Sequence, residues 1–513
     1  MNTSCLEAAK SLLFEWFSNE PQTDKFFNQP TIKIMPLKLH NTLTRQKEEF
    51  IPVTPGRVGF YLCGPTVYDY FHIGNGRPFV VFDVFRRYLR YRGYQVRFVM
   101  NLTDIDDKII NRANELGVSS QEIAQKYTNA FFEDIQKLGV QPADVYPKAT
   151  EHINDIIHLI ETLIKSGAAY VVNGDVYYDV SKFPEYAKLS GKKLDELSSG
   201  IRVAVDERKD DPLDFALWKA AKPNEPWWES PWGKGRPGWH AECSVMSMKY
   251  LGESIDIHAG GIDLIFPHHE NEIAQSEAMT GKPFVKYWLH NGFLNIDGEK
   301  MSKSLGNFST ARDVLEKFST TTIRIFFLMK HYRGPINFSP EPLQHAVKTA
   351  ERLNIAYNLL RRRLAAAKES ANREPLSNEA KSFAELIPKS RENFIVAMDD
   401  DFNTPEAMAV VFDFIRETNR WAERTNLSPV ELAVLAEAKN LLDEWNSFLG
   451  VIETRASGVD QTRVDGIMKI LLELRQQARA EKNFRMADDI RNRLKEAGVI
   501  IEDGPQGSHW RWE

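Results

Sequence analysis

Cysteine is scarce in this chain. Only Cys5, Cys63 and Cys243 occur among 513 residues, too few for a disulfide framework, which suits a reducing compartment and a cytoplasmic location. No apolar run approaches the roughly 20 residues that a membrane-spanning helix needs, so a soluble protein with no membrane partner is expected. Basic charge is not in excess either. Against 71 Asp and Glu stand 65 Lys and Arg, a net charge of −6, so a polyanionic partner would have to be met by local basic surface. There is no internal repeat and no low-complexity tract. The N-terminal stretch lacks the acid-free, Arg-rich character of a transit peptide, since it carries Glu7, Glu15, Glu20 and Asp24. Leu12–Phe17 is too short, and too acidic in its flanks, for a signal peptide. Residues 1–36 therefore stand as an extension of unassigned role, with Met35 as an alternative start.

What is present is ordinary globular material: 42% hydrophobic and 27% charged residues, at a length that suits about two to four domains. The stretch Gly59–Asp107 runs from an apolar segment through His72-Ile73-Gly74-Asn75-Gly76 into a helix, then into Val96–Met100. That order is a βαβ unit, whose parallel strands place ligand sites at their carboxyl ends. Gly74 and Gly76 allow close approach to the backbone, and the free N–H groups of the helix start can hold phosphate; an ordinary strand-to-helix turn reads the same way. Downstream, Ser119–Leu138 and Thr150–Ser166 have helical periodicity, and Tyr170–Val180 reads as a hairpin about Asn173-Gly174. Asp206–Gly238, rich in Pro, Trp and charge, reads as an irregular insertion. Then come a helix over His240–Leu251, a turn at His258–Asp263, a helix from Pro267 to Met279 and a strand over Tyr287–Leu294. From Arg324 the chain reads as helical, with Val347, Ala350, Leu353, Tyr357, Leu360 and Leu364 as one core stripe. Beyond a loop at Ile452–Thr462, Val464, Ile467, Leu471, Leu474 and Ala478 suggest another helix, followed by one near Met486–Ala497.

Two clusters carry chemistry. In His268-His269-Glu270-Asn271-Glu272, His268 and Glu272 fall at i and i+4 on one helix face. With Cys63 and Cys243 they would make a tetrahedral zinc site. On spacing alone His240, His258 and His269 compete as ligands, and buried cysteines can equally serve as small hydrophobes. The second cluster is the loop Gly298–Phe308, where two lysines flank small hydroxyl residues. Such a loop can swing onto a polyphosphate and offset charge as phosphate leaves; a solvated surface loop is the plainer reading.

Taken together these stretches resemble a known family. His72-Ile73-Gly74-Asn75 resembles the HIGH signature of class I aminoacyl-tRNA synthetases, and Lys300–Ser304 reads KMSKS, the second signature of that class. The segments LTRQKEEF, CGPTVYDY, TDIDDKI, GRPGWHAECS, FPHHENEIAQS, GEKMSKSLGNF, DDFNTPEA and EDGPQGSHWRW look like those of cysteinyl-tRNA synthetases, in the same order, from Leu37 to Trp512. The resemblance implies an α/β protein: a Rossmann-type catalytic domain split into residues 37–145 and 239–320 around a connective region, 146–238. A helical bundle that meets the tRNA stem (321–452) and a small anticodon-binding domain (463–513) would follow. It implies activation of L-cysteine by ATP, with Mg2+, to an adenylate, then transfer to the 2′-hydroxyl of the terminal adenosine of the tRNA for cysteine. His72, Asn75, Lys300 and Lys303 would be catalytic, and Gly74, Ser302 and Lys303 would contact ATP. Asn75 departs from the signature, which has a histidine there; an amide can donate a hydrogen bond but carries no charge. Cys63, Cys243, His268 and Glu272 would hold one zinc ion per chain, leaving His269 outside the ligand set. Metal binding would separate the substrate thiolate from the hydroxyl of serine, which shape alone separates weakly. Thr66 and Trp239 would line the cysteine pocket.

For the tRNA, the resemblance points to Arg479, Asp488 and Asp503 as readers of splayed anticodon bases, with Trp510 as a stacking surface. Residues 464–513 hold nine basic and nine acidic side chains, so further affinity is expected elsewhere, at Arg361–Arg363. Two other functions compete. A related ligase that transfers cysteine to an amino sugar would lack the anticodon unit, and a non-catalytic tRNA-binding relative would have no cysteine-dependent pyrophosphate exchange. With no conspicuous exposed apolar stripe, a monomer is expected.

Overall fold

The computed structural model describes residues 36–192, 209–296, 299–300, 309–365, 377–454, 461–504 and 507–512. The N-terminal extension, with Cys5 and Met35, and residues 301–308 of the lysine loop lie outside them. The described residues up to Ile452 form one compact unit, and those from Glu453 onward form a second.

The first unit is built on four parallel strands, numbered in chain order: β1 (Arg57–Leu62), β2 (Gln95–Met100), β3 (Ile255–Gly261) and β4 (Val285–Asn291). Their spatial order is β4–β3–β1–β2, with Leu62 paired to both Met100 and Ala259. Helix α1 (Ile73–Tyr91) joins β1 to β2, α2 (Trp239–Leu251) leads into β3, and α3 (Glu270–Thr280) joins β3 to β4. Phe60, Leu62, Phe98, Met100, Ile257 and Ala259 are all buried, as expected of parallel strands covered on both faces. The chain leaves β1 towards β2 on one side and β3 towards β4 on the other. At such a reversal two carboxyl-terminal strand ends diverge and leave a crevice, which is where doubly wound sheets bind ligands. The expected βαβ unit and α/β class are therefore present.

The insertion differs from its sequence reading. Asp206–Gly238 is not wholly irregular: Phe215–Ala220 and Gly235–Pro237 are strands that complete an antiparallel sheet with Ala169–Val172 and Asp175–Tyr178. Its core combines Leu217 and Trp218 with Ile156, Leu159, Ile160 and Leu163 of the helix Ile153–Lys165. The Pro- and Trp-rich stretch between those strands hid them, because their pairing is long-range. The hairpin about Asn173-Gly174 does form, with φ of 52° and 89° at its two loop residues, the positive values that a two-residue turn between twisted strands demands. His258–Asp263 is not a turn throughout: His258 to Gly261 finish β3, and the turn begins at Ile262.

The helices Pro340–Ala365, Asn378–Asp399, Thr404–Ala422 and Pro429–Leu449 follow. Ala350, Leu353, Tyr357, Leu360 and Leu364 are buried among them, continuous with the core beneath α1. In the second unit, helices Gln461–Ala480 and Phe484–Glu496 precede a hairpin of Val499–Gly504 and Gly507–Trp512, which the sequence reading missed. The expected stripe is also displaced. Ile467 and Leu474 are exposed and Leu471 is half-buried, while Ala478 is buried as expected, with Met468 and Arg475, among the described side chains; that of Val464 lies outside them. Apolar residues at neighbouring positions on this helix let the 3/4 spacing fit two adjacent faces.

Candidate active site and metal centre

Cys63 is the first residue beyond β1, at the crevice. Its amide donates to Ala259 O (3.1 Å), and Gly64 N donates to Asn101 Oδ1 (2.8 Å). A side chain at residue 64 would collide with Asn101 O, 1.7 Å from the Cβ position, so glycine is required where β1 ends against β2. Cys243 lies in α2. A wide turn, Ile265–His269, carries His268 and His269, and the first turn of α3 carries Glu272. All five side chains are buried.

Two donor sets overlap here. Cys63, Cys243, His268 and Glu272 each offer one atom within 4.8 Å of the others, and so do Cys63, His258, His269 and Glu272. His268 Nε2 is 3.0 Å from Glu272 Oε1, and its Nδ1 is 2.9 Å from His240 Nδ1. His269 Nε2 is 3.2 Å from Cys63 Sγ and its Nδ1 is 2.8 Å from His290 Nε2, while His290 Nδ1 reaches Thr42 Oγ1 at 2.8 Å. His290 was not singled out in the sequence, where it is one more residue of a buried strand. Glu272 Oε2 is buried without a hydrogen bond.

Burial pushes the Glu272 carboxyl and the Cys63 thiol well up, and pushes His258 and His269 well down. Cys243 moves the other way, to about 7, because Cys63 hydrogen-bonds to its sulfur. A buried cation is what makes ionised thiols and carboxylate favourable in such a place. Sulfur, imidazole and carboxylate donors with an unsatisfied buried oxygen fit a metal ion, so the chain contains a buried Cys/His/Glu cluster of metal-binding character.

His72 caps α1: its Nδ1 accepts from Asn75 N at 3.2 Å. Gly74 is half-buried in the first turn and Asn75 is exposed. No acidic residue occupies that turn, so its N–H dipoles are open to an anion. The segment that follows the lysine loop meets α1 here. Ile73 N donates to Ser309 O (3.1 Å), Ala311 N donates to Phe71 O (3.0 Å), and His72 bridges to Thr310. At the other end of the loop, the Lys300 backbone pairs with Asn295. Ser302 and Lys303 lie outside the described residues.

Trp239, 38% exposed, stacks on His268 with ring centroids 4.1 Å apart. Thr66 sits in a loop bridged to Thr103, whose hydroxyl donates to Glu242 Oε2 at 3.2 Å, beside Cys243. Thr66 thus lies just beyond β1 on its β2 side, and Trp239 against a residue of the cluster. In the second unit Arg479 and Asp488 are exposed. Asp503 accepts from Arg475 at 2.7 and 2.9 Å, from Arg479 at 3.1 Å and from Ser508 at 2.6 Å. Arg475, the buried centre of this group, was not foreseen. Trp510 lies on the last strand. On the bundle Arg361 and Arg362 are exposed, while Arg363 donates to the carbonyls of Arg424 (2.5 Å) and Thr425 (2.6 Å).

A parallel sheet with its crevice at the strand reversal, and a chain that carries both HIGN and KMSKS, mark a class I aminoacyl-tRNA synthetase. Residues 49–348 match the profile of the class I (C) tRNA synthetase catalytic domain, residues 393–453 the DALR domain, and residues 468–511 the cysteinyl-tRNA ligase anticodon binding domain. A Mycobacterium tuberculosis methionyl-tRNA synthetase structure in complex with methionyl-adenylate shares the fold: TM-score 0.56 at 16% identity, over 76% of this chain and 90% of that one. The cysteine–tRNA ligase of Pelotomaculum thermopropionicum is 50% identical over 489 residues, covering 93% of this chain and 99% of that protein. That of a Geobacillus species is 52% identical over 476 residues, with the same coverage. The chain belongs to the cysteine–tRNA ligase family.

Proposed function

We propose that the cysteine-activating site is the β1/β3 crevice, with zinc held by Cys63, Cys243, His268 and Glu272. The observation that carries this is Glu272, a fully buried carboxylate with one oxygen lacking a hydrogen bond, among three other metal donors. Two sulfurs favour this set over the alternative with one, since thiolates suit zinc. His240 then orients His268, and His258 and His269 support the site from outside, as partners of ligands commonly do. When bound, zinc supplies a Lewis acid that favours the thiolate of cysteine over the hydroxyl of serine. Trp239 and Thr66 line the amino-acid pocket.

In the first step a cysteine carboxylate oxygen attacks the α-phosphorus of ATP, which carries Mg2+, and the bond to pyrophosphate breaks. The N–H groups at the start of α1, with His72 and Asn75, hold the phosphates. Lys300 and Lys303 offset charge as pyrophosphate leaves. In the second step the 2′-oxygen of the terminal tRNA adenosine attacks the carbonyl, AMP departs and the hydroxyl proton is lost. Residues 321–452 meet the tRNA stem. In the last unit Arg479, Asp488, Asp503 and Trp510 meet the anticodon. The protein works as a monomer in the cytoplasm.

The test is ATP–pyrophosphate exchange with cysteine and serine compared, and zinc measured in the same preparation. Cysteine-dependent exchange with bound zinc is expected; no exchange would reject the reading. Transfer of cysteine to an amino sugar and none to tRNA would replace it with the competing ligase, against which the C-terminal unit argues.

A further inference from the structure

Arg77 follows Asn75 by two residues on α1 and is completely buried. Its guanidinium donates through Nη1 to the carbonyls of Gly292 (2.7 Å) and Phe293 (3.2 Å), and through Nη2 to those of His331 (3.2 Å) and Gly334 (2.8 Å). Burial holds it down to about 10. Burying a cation against carbonyl dipoles is costly, so what the four carbonyls belong to matters. Gly292 and Phe293 run directly into the strand Leu294–Ile296, which pairs with Glu299–Lys300 and with Ile336–Asn337. His331–Gly334 is itself held from the bundle: Tyr332 Oη and Arg333 Nε donate to buried Asp401 at 2.9 and 2.8 Å. A Cβ on residue 292 would lie 2.6 Å from the carbonyl oxygens of both Arg333 and Gly334. Only glycine lets these two segments lie close enough for one guanidinium to span both.

The far side of the lysine loop is tied to the same helix by the Ile73–Ser309 and Phe71–Ala311 backbone bonds. Both arms of the loop are thus fastened to the start of α1, the exit arm by the backbone and the entry arm by Arg77.

We propose that Arg77 is a positioning residue for adenylate formation, fixing the strand that leads to Lys300 against the end of α1 that carries His72 and Asn75. This rests on the cysteine-activating reading above. The test is Arg77→Lys, because an ammonium keeps the charge but cannot fork across four carbonyls. Exchange kcat, KM for cysteine, zinc content and melting are measured, alone and in a Lys303→Ala background. The expected result is a fall in kcat of about 100-fold, the scale of a misplaced reacting geometry. KM for cysteine and zinc content stay unchanged, and the loss is much smaller once Lys303 is absent. Gly292→Ala, which pushes the carbonyls apart and leaves Arg77 in place, should give the same split. Unchanged kcat, additive losses with Lys303→Ala, or zinc loss accompanied by a raised KM for cysteine would overturn the proposal. Failure of both variants to fold would make the role structural and overturn it as well. Absence of cysteine-dependent exchange in the unsubstituted enzyme would reject the earlier reading instead.

Discussion

Glu272 shows how one side chain fixes the chemistry of its surroundings. One oxygen lies 3.0 Å from His268 Nε2 and the other has no hydrogen bond, at zero exposure. A buried carboxylate left so costs free energy unless a cation completes it. Replacing Cys243 by Ser or His268 by Ala is therefore expected to release zinc and narrow the preference for cysteine over serine. Metal analysis together with exchange on both amino acids checks this, and full zinc in both variants would reject the ligand set. Lys303 belongs to the same scale. Its replacement by Ala is expected to slow exchange by about 10²–10³-fold, or about 3–4 kcal/mol, as when a preorganised charge facing the transition state is removed. Exchange at the rate of the unsubstituted enzyme would remove that role.

Among the elements, α1 does several jobs at once. Its N-terminus presents His72 and Asn75, its next turn anchors the loop through Arg77, and Phe82, Phe85 and Tyr88 join the large core. The terminal hairpin is held differently, by charge. Arg475 is the main reason Asp503 sits well below the usual carboxylate range, with Ser508 next. A carboxylate depressed in the folded state contributes stability that is present above its unfolded value, about 3.9, and is lost as pH falls from there towards the folded value. Amide exchange in Val499–Gly504 is thus expected to speed up as pH drops below about 4, beyond its intrinsic pH dependence. Asp503→Asn should show fast exchange already at neutral pH. Equal protection in both proteins at pH 7 would contradict this.

For the whole molecule, the division at Ile452 separates the part that matches a class I catalytic domain from the unit that matches an anticodon-binding domain. A chain ending at Ile452 is expected to keep cysteine-dependent exchange near the full-length rate while charging of tRNA falls steeply. Parallel loss of both activities would mean that the second unit supports the first. No helix among the described residues is long and apolar enough to cross a membrane.

The sequence by itself determined the class and the family, because short motifs carry chemistry that tolerates few alternatives: two cysteines, the HHENE helix start, HIGN and KMSKS. It also determined local elements governed by near neighbours, such as the Asn173-Gly174 hairpin and the helix capped by Ser119. Only the tertiary structure decided which side of the Gln461–Ala480 helix is buried, since adjacent apolar residues make its periodicity ambiguous. It alone supplied the pairing that makes strands of Phe215–Ala220 and Gly235–Pro237, because the partner of a strand is not written in the strand. Cys63 and Glu272 lie 209 residues apart, and it is the meeting of β1 with β3 that puts them 3.9 Å from one another. The pairing of β4 with β3 brought His290 beside His269, and Arg77 together with the Ile73–Ser309 and Phe71–Ala311 bonds tied both flanks of the lysine loop to α1, contacts set by chain topology rather than by residue pattern.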